Sequence, residues 1–265
     1  MRITYRDKSN GKYWNNRWEN ILPDKISSNE KEYPIKYSNL LIKSKGKILE
    51  AGCGPGRVLR YYHKKGFDIY GVDFVESIIL KLKNEDATLK VSAQNILNLD
   101  FGNEFFDYVL AFGLYHNFNQ NLNKAIIETK RVLKKDGYIC ASFRSDNWQT
   151  RIADWLYLKK NPIRFSKFHK LNLKKKEFIN LFEKQDFEVM KVFSAENMPF
   201  LYKFKFFREN SHKIFNENKS RSEGYKLSFF GNLIQKILLK LFLDQLCNIY
   251  IIIAKKKLTK IYQSI

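Results

Sequence analysis

Three alternate glycines, Gly52, Gly54 and Gly56, follow a short apolar run and precede a helical pattern. Glycine adopts positive φ angles and allows a ligand to approach the backbone closely, and the start of the following helix offers unpaired N–H groups. A nucleotide-like cofactor can therefore bind at this loop. Structural turns also use glycine, so the loop alone leaves both interpretations open.

An acidic residue, Asp73, ends the next apolar run, which begins at Phe67. A carboxylate at the end of a second strand can accept hydrogen bonds from both ribose hydroxyls of an adenosyl group. The same carboxylate could instead cap the helix predicted to begin near Val75. Because the three glycines lie upstream, we favour the ligand interpretation.

Short apolar runs alternate with longer helical patterns across residues 47–143. This alternation predicts an α/β fold with a parallel sheet covered by helices on both faces. Because ligands bind at the carboxyl ends of parallel strands, the glycine loop and Asp73 would share one edge of that sheet. Strands are predicted at residues 47–51, 67–72, 89–92, 108–112 and 138–143, and helices at residues 57–64, 75–83 and 123–133.

The flanking regions differ from this core in composition. Helical spacing and apolar runs predict helices at residues 35–42, 147–161, 174–185 and 231–243, and strands at residues 187–193 and 248–254. The aromatic N-terminus could form a lid over the ligand, or it could pack outside the sheet. We predict an N-terminal helical lid over residues 1–45, a core over residues 46–193, a basic, aromatic and amphipathic cap insertion over residues 194–247, and the last strand with a basic tail over residues 248–265.

The run Glu50-Ala-Gly-Cys-Gly-Pro-Gly56 resembles motif I of the class I S-adenosylmethionine-dependent methyltransferases of the small-molecule type. The resemblance extends over about residues 45–145. It implies S-adenosylmethionine as cofactor and a doubly wound, mostly parallel, seven-stranded Rossmann-like sheet. The other matching segments are Gly71–Asp73 as motif II, Asn95–Phe101 and Phe106–Val109 as the third and fourth strand blocks, and Arg131–Tyr138 before the fifth strand.

The resemblance also implies which residues bind the cofactor. Asn95 stands where relatives commonly carry an acid that contacts the adenine amino group, and its amide oxygen can accept the same hydrogen bond. The residues expected to bind the cofactor are Glu50, Gly52, Gly54, Gly56, Asp73, Asn95 and Phe112.

Transfer of a methyl group to a hydroxyl requires a base that takes the hydroxyl proton. His116 follows the fourth predicted strand at the ligand-binding edge, and imidazole titrates near neutral pH, so it is the leading catalytic candidate. Tyr115 is a weaker candidate. Either residue could instead serve only the packing of the strand end.

The sequence limits the class of methyl acceptor mainly by excluding two known classes of methyltransferase. The run after the fourth strand is Ala111-Phe-Gly-Leu114, whereas enzymes that methylate amino groups of adenine or glutamine usually have Asn/Asp-Pro-Pro-Tyr/Phe there, and no cysteine follows for cytosine chemistry. We predict a small-molecule acceptor, either a hydroxyl of a sugar or glycan precursor or a quinone-like lipid. The alternatives are an RNA methyltransferase and a non-catalytic S-adenosylmethionine-binding protein.

The composition is strongly basic. Lys and Arg total 48 against 27 Asp and Glu, which gives a formal net charge of +21 over 265 residues. Such a charge makes nucleic acid or an anionic membrane the first macromolecular partner to consider. Lysine is spread along the whole chain, however, and no RNA-binding module is recognisable, so nucleic acid is possible but not favoured.

The sequence also bears on metal binding and location. Three widely spaced cysteines with no CxxC pair predict no metal site and a reducing compartment. No secretory signal and no uncharged apolar run of about 18 residues are present. We therefore expect a cytoplasmic protein. The basic amphipathic helix at residues 231–243 would allow peripheral contact with the inner face of an anionic membrane. The oligomeric state is left open.

Overall fold

The computed structural model describes residues 1–6, 10–19, 21–23, 29–160, 167–209 and 224–257. The end of the predicted basic tail, residues 258–265, and part of the predicted cap, residues 210–223, lie outside the described residues. The strands are β1 (Arg2–Arg6), β2 (Lys47–Ala51), β3 (Asp68–Asp73), β4 (Lys90–Ala93), β5 (Phe106–Ala111), β6 (Leu133–Arg144), β7 (Lys167–Asn172), β8 (Phe187–Ala195) and β9 (Ile249–Lys256). The helices are α1 (Asn10–Glu19), α2 (Tyr33–Leu41), α3 (Arg57–Lys64), α4 (Glu76–Glu85), α5 (Leu122–Val132), α6 (Trp148–Lys160), α7 (Lys175–Glu183) and α8 (Phe229–Leu246).

Seven strands form one sheet in the order β4-β3-β2-β5-β6-β9-β8. The pairs from β4 to β6 are parallel, whereas β9 runs antiparallel to both of its neighbours. The predicted mostly parallel, seven-stranded, doubly wound sheet is confirmed. The strand order reverses at β2, so a crevice opens beside the carboxyl ends of β2 and β5, where such sheets bind ligands.

Both faces of this sheet are buried, as the nearly continuous apolar strands predict. Successive residues of β2 point to opposite faces, so that Ile48 belongs to one apolar cluster and Leu49 to the other. Leu110 and Val109 divide in the same way on β5. The two packed layers hold the carboxyl ends of the strands in fixed positions, which is what a binding site at that edge requires.

The first ordered residues form a strand that the sequence did not predict. β1 pairs antiparallel with β7 in a two-stranded sheet, with Arg2 opposite Asn172. The predicted helical N-terminus is therefore wrong at residues 2–6, and the first helix of the described residues is Asn10–Glu19. The strand was missed because Arg-Ile-Thr-Tyr-Arg has a charged residue at each end and is too short to establish an alternating pattern.

The segment between β8 and β9 contains two 3-10 turns, at Phe200–Lys203 and Lys205–Phe207, and the helix α8. This helix is longer than the predicted residues 231–243, and it is kinked at Phe242, where φ is −134° and ψ is 37°. Among the described residues, no helix has the length and apolar character needed to cross a bilayer.

Candidate active site

The glycine loop between β2 and α3 has the backbone conformation that its sequence requires. Gly52, Gly54 and Gly56 have φ angles of 71°, 48° and 72°, in the left-handed region that favours glycine. A Cβ atom on Gly54 would lie 3.0 Å from the indole ring of Trp18. The loop thus leaves a backbone-lined cradle beneath an aromatic side chain.

Asp73 joins this loop to the end of β3. Its carboxylate accepts hydrogen bonds from the backbone N–H groups of Gly54, at 2.9 Å, and Val75, at 3.0 Å. Only 7% of the residue is exposed, and burial raises the pKa of its carboxyl group. The bond to Val75 closes a turn that leads into α4, whose N-cap residue is Val75, and Asp73 also lines the cavity. The ligand interpretation of Asp73 stays a prediction.

Glu50 lies beneath the loop rather than beside it. Its Oε2 atom accepts a hydrogen bond of 2.7 Å from the backbone N–H of Leu59 in the first turn of α3. Burial raises the pKa of this carboxyl to about 8. Glu50 therefore orders the helix start behind the loop, and it also contributes to the wall of the cavity.

A single cavity of about 730 Å³ adjoins the loop. Its volume lies within the range of roughly 300–1,000 Å³ that is usual for small-molecule sites. The predicted cofactor residues that line it are Glu50, Gly52, Gly54, Asp73, Asn95 and Phe112. Gly56 does not line it, because its position is taken up by packing: a Cβ atom there would lie 2.9 Å from Leu82.

The wall next to Asp73 contains two apolar residues that sequence reasoning missed. Phe74 lines the cavity although 55% of the residue is exposed, and Ile96 lines it next to Asn95. The Oδ1 atom of Asn95 already accepts a hydrogen bond of 3.0 Å from the backbone N–H of Leu97. One lone pair of that oxygen remains for a ligand. The position of Phe74 directly after Asp73, the acid that ends β3, could have indicated that it lines the cavity.

The N-terminal helix covers the opposite side of the loop. Trp14 and Trp18 of α1 stack with their ring centroids 5.2 Å apart, and both line the cavity. Lys81 on α4 anchors the end of α1 by donating a hydrogen bond of 3.0 Å to the carbonyl oxygen of Trp18. This arrangement places aromatic side chains where a lid would lie, and the lid function stays a prediction.

The two predicted catalytic residues lie in different environments. His116 lines the cavity, and its Nδ1 atom is buried without a hydrogen-bond partner in the described part of the chain. Burial, together with the positive charges of Lys170 and Arg144, holds the pKa of His116 well below its usual range. The imidazole is therefore neutral at physiological pH.

Tyr115, by contrast, is a core residue. Its side chain is fully buried, its hydroxyl bonds to Oγ1 of Thr129 at 2.8 Å, and its ring packs against Phe182. Burial raises the pKa of its hydroxyl. The predicted catalytic role of Tyr115 is therefore wrong, because the 3-10 turn at Tyr115–Asn117 directs neighbouring side chains to opposite sides of the strand end.

The end of the cavity near His116 is cationic. Arg144 from the end of β6, Lys170 from β7 and Lys203 from the cap all line it. With the Gln149 amide turned so that its oxygen faces the cavity wall, Lys203 donates to that oxygen at 2.9 Å. Glu196 and Asp154 act on the Lys203 ammonium group through their negative charges. Burial and the charge of Arg144 lower the pKa of Lys203 to about 8.

A network of ion pairs holds Arg144 in place. Asp154 on α6 accepts hydrogen bonds from Arg144 at 3.0 Å, from Arg6 at 2.9 Å and from Arg2 at 2.8 Å. Arg2 also pairs with Asp146 at 2.6 Å. The unpredicted strand β1 thereby supports the cationic wall. Sequence reasoning missed this wall because its members come from segments far apart in the chain.

Comparisons with known proteins agree with this geometry. Residues 49–141 match the family model described as a methyltransferase domain. This part of the chain is a class I methyltransferase domain. S-adenosylmethionine is the cofactor of such domains, and the glycine cradle, the Asp73 carboxylate and the adjoining apolar wall fit its adenosyl group.

The relatives place the fold but not the acceptor. A stretch of 130 residues is 28% identical to an uncharacterised methyltransferase of Schizosaccharomyces pombe, over 44% of this chain and 89% of that protein. A methyltransferase structure from Methanosarcina mazei aligns with a TM-score of 0.58 and 17% identity, over 85% of this chain and 98% of that one. A Burkholderia thailandensis 1,6-didemethyltoxoflavin-N1-methyltransferase with bound S-adenosylhomocysteine aligns with a TM-score of 0.56 and 15% identity, over 96% and 95% of the two chains.

Proposed function

We propose that this methyltransferase transfers a methyl group from S-adenosylmethionine to a hydroxyl of a small-molecule acceptor, and that the acceptor carries an anionic group. The observation that carries the proposal is the single cavity that extends from Asp73 to the cationic wall formed by Arg144 and Lys203. Cofactor and acceptor would meet inside it, which keeps the reacting atoms close and excludes water.

The charge of the acceptor end supports the anionic group. Lys203 is partly buried, and the charges of Glu196 and Asp154 do not offset its burial and the nearby charge of Arg144, so the pKa of its ammonium group falls. A phosphate or carboxylate bound there would add counter-charge. Of the two acceptor classes suggested by the sequence, a glycan precursor bearing a phosphate fits this wall, whereas a neutral quinone-like head group would add no negative charge.

His116 is suited to take the proton of the acceptor hydroxyl. When bound, S-adenosylmethionine supplies an electrophilic methyl group. Nδ1 of His116 is buried, neutral and without a partner in the described chain, so it can accept a hydrogen bond from the hydroxyl. As the new O–CH₃ bond forms, the proton passes from the hydroxyl oxygen to the imidazole. An anion beside Lys203 would stabilise the resulting imidazolium.

An acceptor screen tests the charge requirement. Release of S-adenosylhomocysteine would be measured with sugar phosphates, nucleoside diphosphate sugars, the matching neutral sugars and a short-chain quinol. We expect turnover only with the phosphorylated sugars. Turnover of the quinol or of a neutral sugar, with none for phosphorylated sugars, would overturn the assignment of the acceptor but not that of the cofactor.

Two pairs of variants test the residue roles. His116→Ala should lower kcat about 100-fold or more, as expected for loss of a general base, while His63→Ala on the outer face of α3 should not.

Lys203→Gln should raise KM for the acceptor, while Lys226→Gln, which changes an exposed lysine of the same cap, should leave KM unchanged. Because the pKa of Lys203 is about 8, KM of the unmodified enzyme should also rise above that pH, and this rise should be absent in Lys203→Gln.

A further inference from the structure

Helix α8 presents its apolar residues to the outside. A surface helix of a soluble domain normally turns its apolar stripe to the core. In α8 the buried residues are instead Gly231, Gln235 and Leu246. The exposed fractions of Phe229, Phe230, Leu233, Ile237 and Leu241 are 79%, 69%, 49%, 52% and 65%.

Specific contacts fix this orientation. Gln235 accepts a hydrogen bond of 3.0 Å from the backbone N–H of Leu201, and its amide nitrogen donates to Glu196. A Cβ atom on Gly231 would lie 2.6 Å from the carbonyl oxygen of Phe207, so only glycine allows this close approach. The face that carries Gly231 and Gln235 therefore docks on the protein, with Leu238 packed against the apolar cluster of the cap, and most of the apolar residues are left outside.

Two neighbouring segments extend the apolar surface. On α6, Trp148, Ile152 and Trp155 are 71%, 38% and 59% exposed, although the same helix lines the cavity with Thr150. The start of α6 joins the end of α8, because Nδ2 of Asn147 donates to the carbonyl oxygen of Asp244 at 2.9 Å. In the cap turn, Phe206 is 87% exposed. The exposed apolar side chains of these three segments together form one patch, which we call the cap surface: Phe206, Phe229, Phe230, Leu233, Ile237, Leu241, Trp148, Ile152 and Trp155.

The charges beside the cap surface indicate what covers it. On a helical wheel, the exposed apolar residues from Phe229 to Leu241, before the kink, span an arc of about 140°, and Lys236 and Lys240 lie at one edge of it. Both lysines are exposed, as is Lys205 beside Phe206. The one acidic residue of α8, Asp244, is paired with Lys175 at 2.9 Å. The rim is therefore cationic, in a chain whose net charge is +21.

We propose that the cap surface docks the protein on an anionic membrane. An amphipathic helix with a basic edge binds in the plane of the lipid interface, with its apolar side chains at the boundary between headgroups and acyl chains. Exposed tryptophans suit that boundary, and lysines suit the anionic headgroups. A second copy of the chain fits less well, since a symmetric contact through this surface would bring the lysine rims together.

Vesicle flotation of the full chain tests this directly. The protein should float with vesicles of phosphatidylglycerol and phosphatidylcholine, and should stay unbound with phosphatidylcholine alone. Lys236→Gln combined with Lys240→Gln should weaken binding to the anionic vesicles by roughly tenfold to thirtyfold, because each lysine near the membrane surface strengthens binding several-fold. No binding of the unmodified chain to anionic vesicles would overturn the proposal.

A matched pair of variants locates the surface. Ile237 and Ile127 are both 52% exposed, but Ile127 lies on α5, away from the cap. Ile237→Asp should abolish flotation and Ile127→Asp should not, with cofactor binding and the circular dichroism spectrum unchanged in both. Equal effects of the two changes would contradict the proposal. So would light scattering that shows a dimer which only Ile237→Asp dissociates, since a second copy would then cover this face.

Discussion

The two ends of the cavity are built in different ways. The cofactor end consists of consecutive backbone and one buried acid: three glycines with positive φ angles form the loop, and Asp73 ties that loop to the next strand. The acceptor end consists of side chains from distant segments, with Arg144 from β6, Lys203 from the cap and His116 from the turn after β5. In the function we propose, the cofactor is bound by local backbone geometry, and the acceptor is bound by side chains from distant segments.

This difference predicts that substitutions at the two ends of the cavity should have different effects. Changes at the cofactor end should weaken S-adenosylmethionine binding whatever the acceptor. Changes at the acceptor end should leave cofactor binding intact and should alter turnover or selectivity.

The largest effect is expected from filling the glycine cradle. Gly54→Val would force the Trp18 ring away from the loop and place a side chain where the ligand must approach. We expect turnover to fall about 100-fold or more, since a displacement of about 1 Å at a reacting pair can cost that much. Gly66→Val is the matched control: Gly66 also has a positive φ, of 75°, but no atom lies within 4 Å of the added Cβ. Equal loss of activity in both would show that backbone strain alone is responsible.

The buried acid behind the loop should appear in the pH dependence of stability. The pKa of Glu50 is raised from 4.5 to about 8 by burial, so the folded state holds this proton more tightly than the unfolded state does. Its contribution is full below about pH 4.5 and is lost as the pH rises to about 8. Glu50→Gln should remove this slope and stabilise the protein above pH 8 by up to about 5 kcal/mol relative to the unmodified chain.

Urea unfolding at pH 5 and pH 9 measures this effect. The exposed Glu76→Gln serves as the control for loss of a carboxylate. If Glu50→Gln changed the free energy of unfolding equally at both pH values, the protonated state assigned to Glu50 would be wrong.

The smallest effect is expected from a change at Tyr115, which tests whether this residue serves the core or the active site. Tyr115→Phe removes the hydrogen bond to Thr129 and should lower the free energy of unfolding by about 1 kcal/mol. Turnover should not change, in contrast to the loss expected for His116→Ala. A kinetic defect in Tyr115→Phe at unchanged stability would restore a catalytic role for this hydroxyl.

The features best predicted from the sequence are those formed by consecutive residues. The strand, loop and acid of the cofactor end have fixed spacing in the sequence, and Gly52, Gly54 and Asp73 all line the cavity. Their contact with the cofactor stays a prediction. Gly56 differs from the other two glycines: the space beside it is filled by Leu82, and it does not line the cavity.

The rest depends on contacts between distant segments. Nothing near Arg2 in the sequence indicates that it meets Asp146 and Asp154. Similarly, Lys203 is one lysine among many in the sequence, and only burial distinguishes it. After β5, the adjacent residues Tyr115 and His116 lie in the core and in the cavity wall, and no pattern in that short run distinguishes them.

Titration calorimetry with S-adenosylmethionine tests the central claim most directly, that one cavity binds cofactor at Asp73 and acceptor at Lys203. The unmodified chain should bind the cofactor. Asp73→Ala should weaken binding by roughly tenfold to a hundredfold, through loss of charged hydrogen bonds. Lys203→Gln should bind the cofactor as the unmodified chain does. Absence of binding by the unmodified chain, or equal binding by Asp73→Ala, would contradict the account.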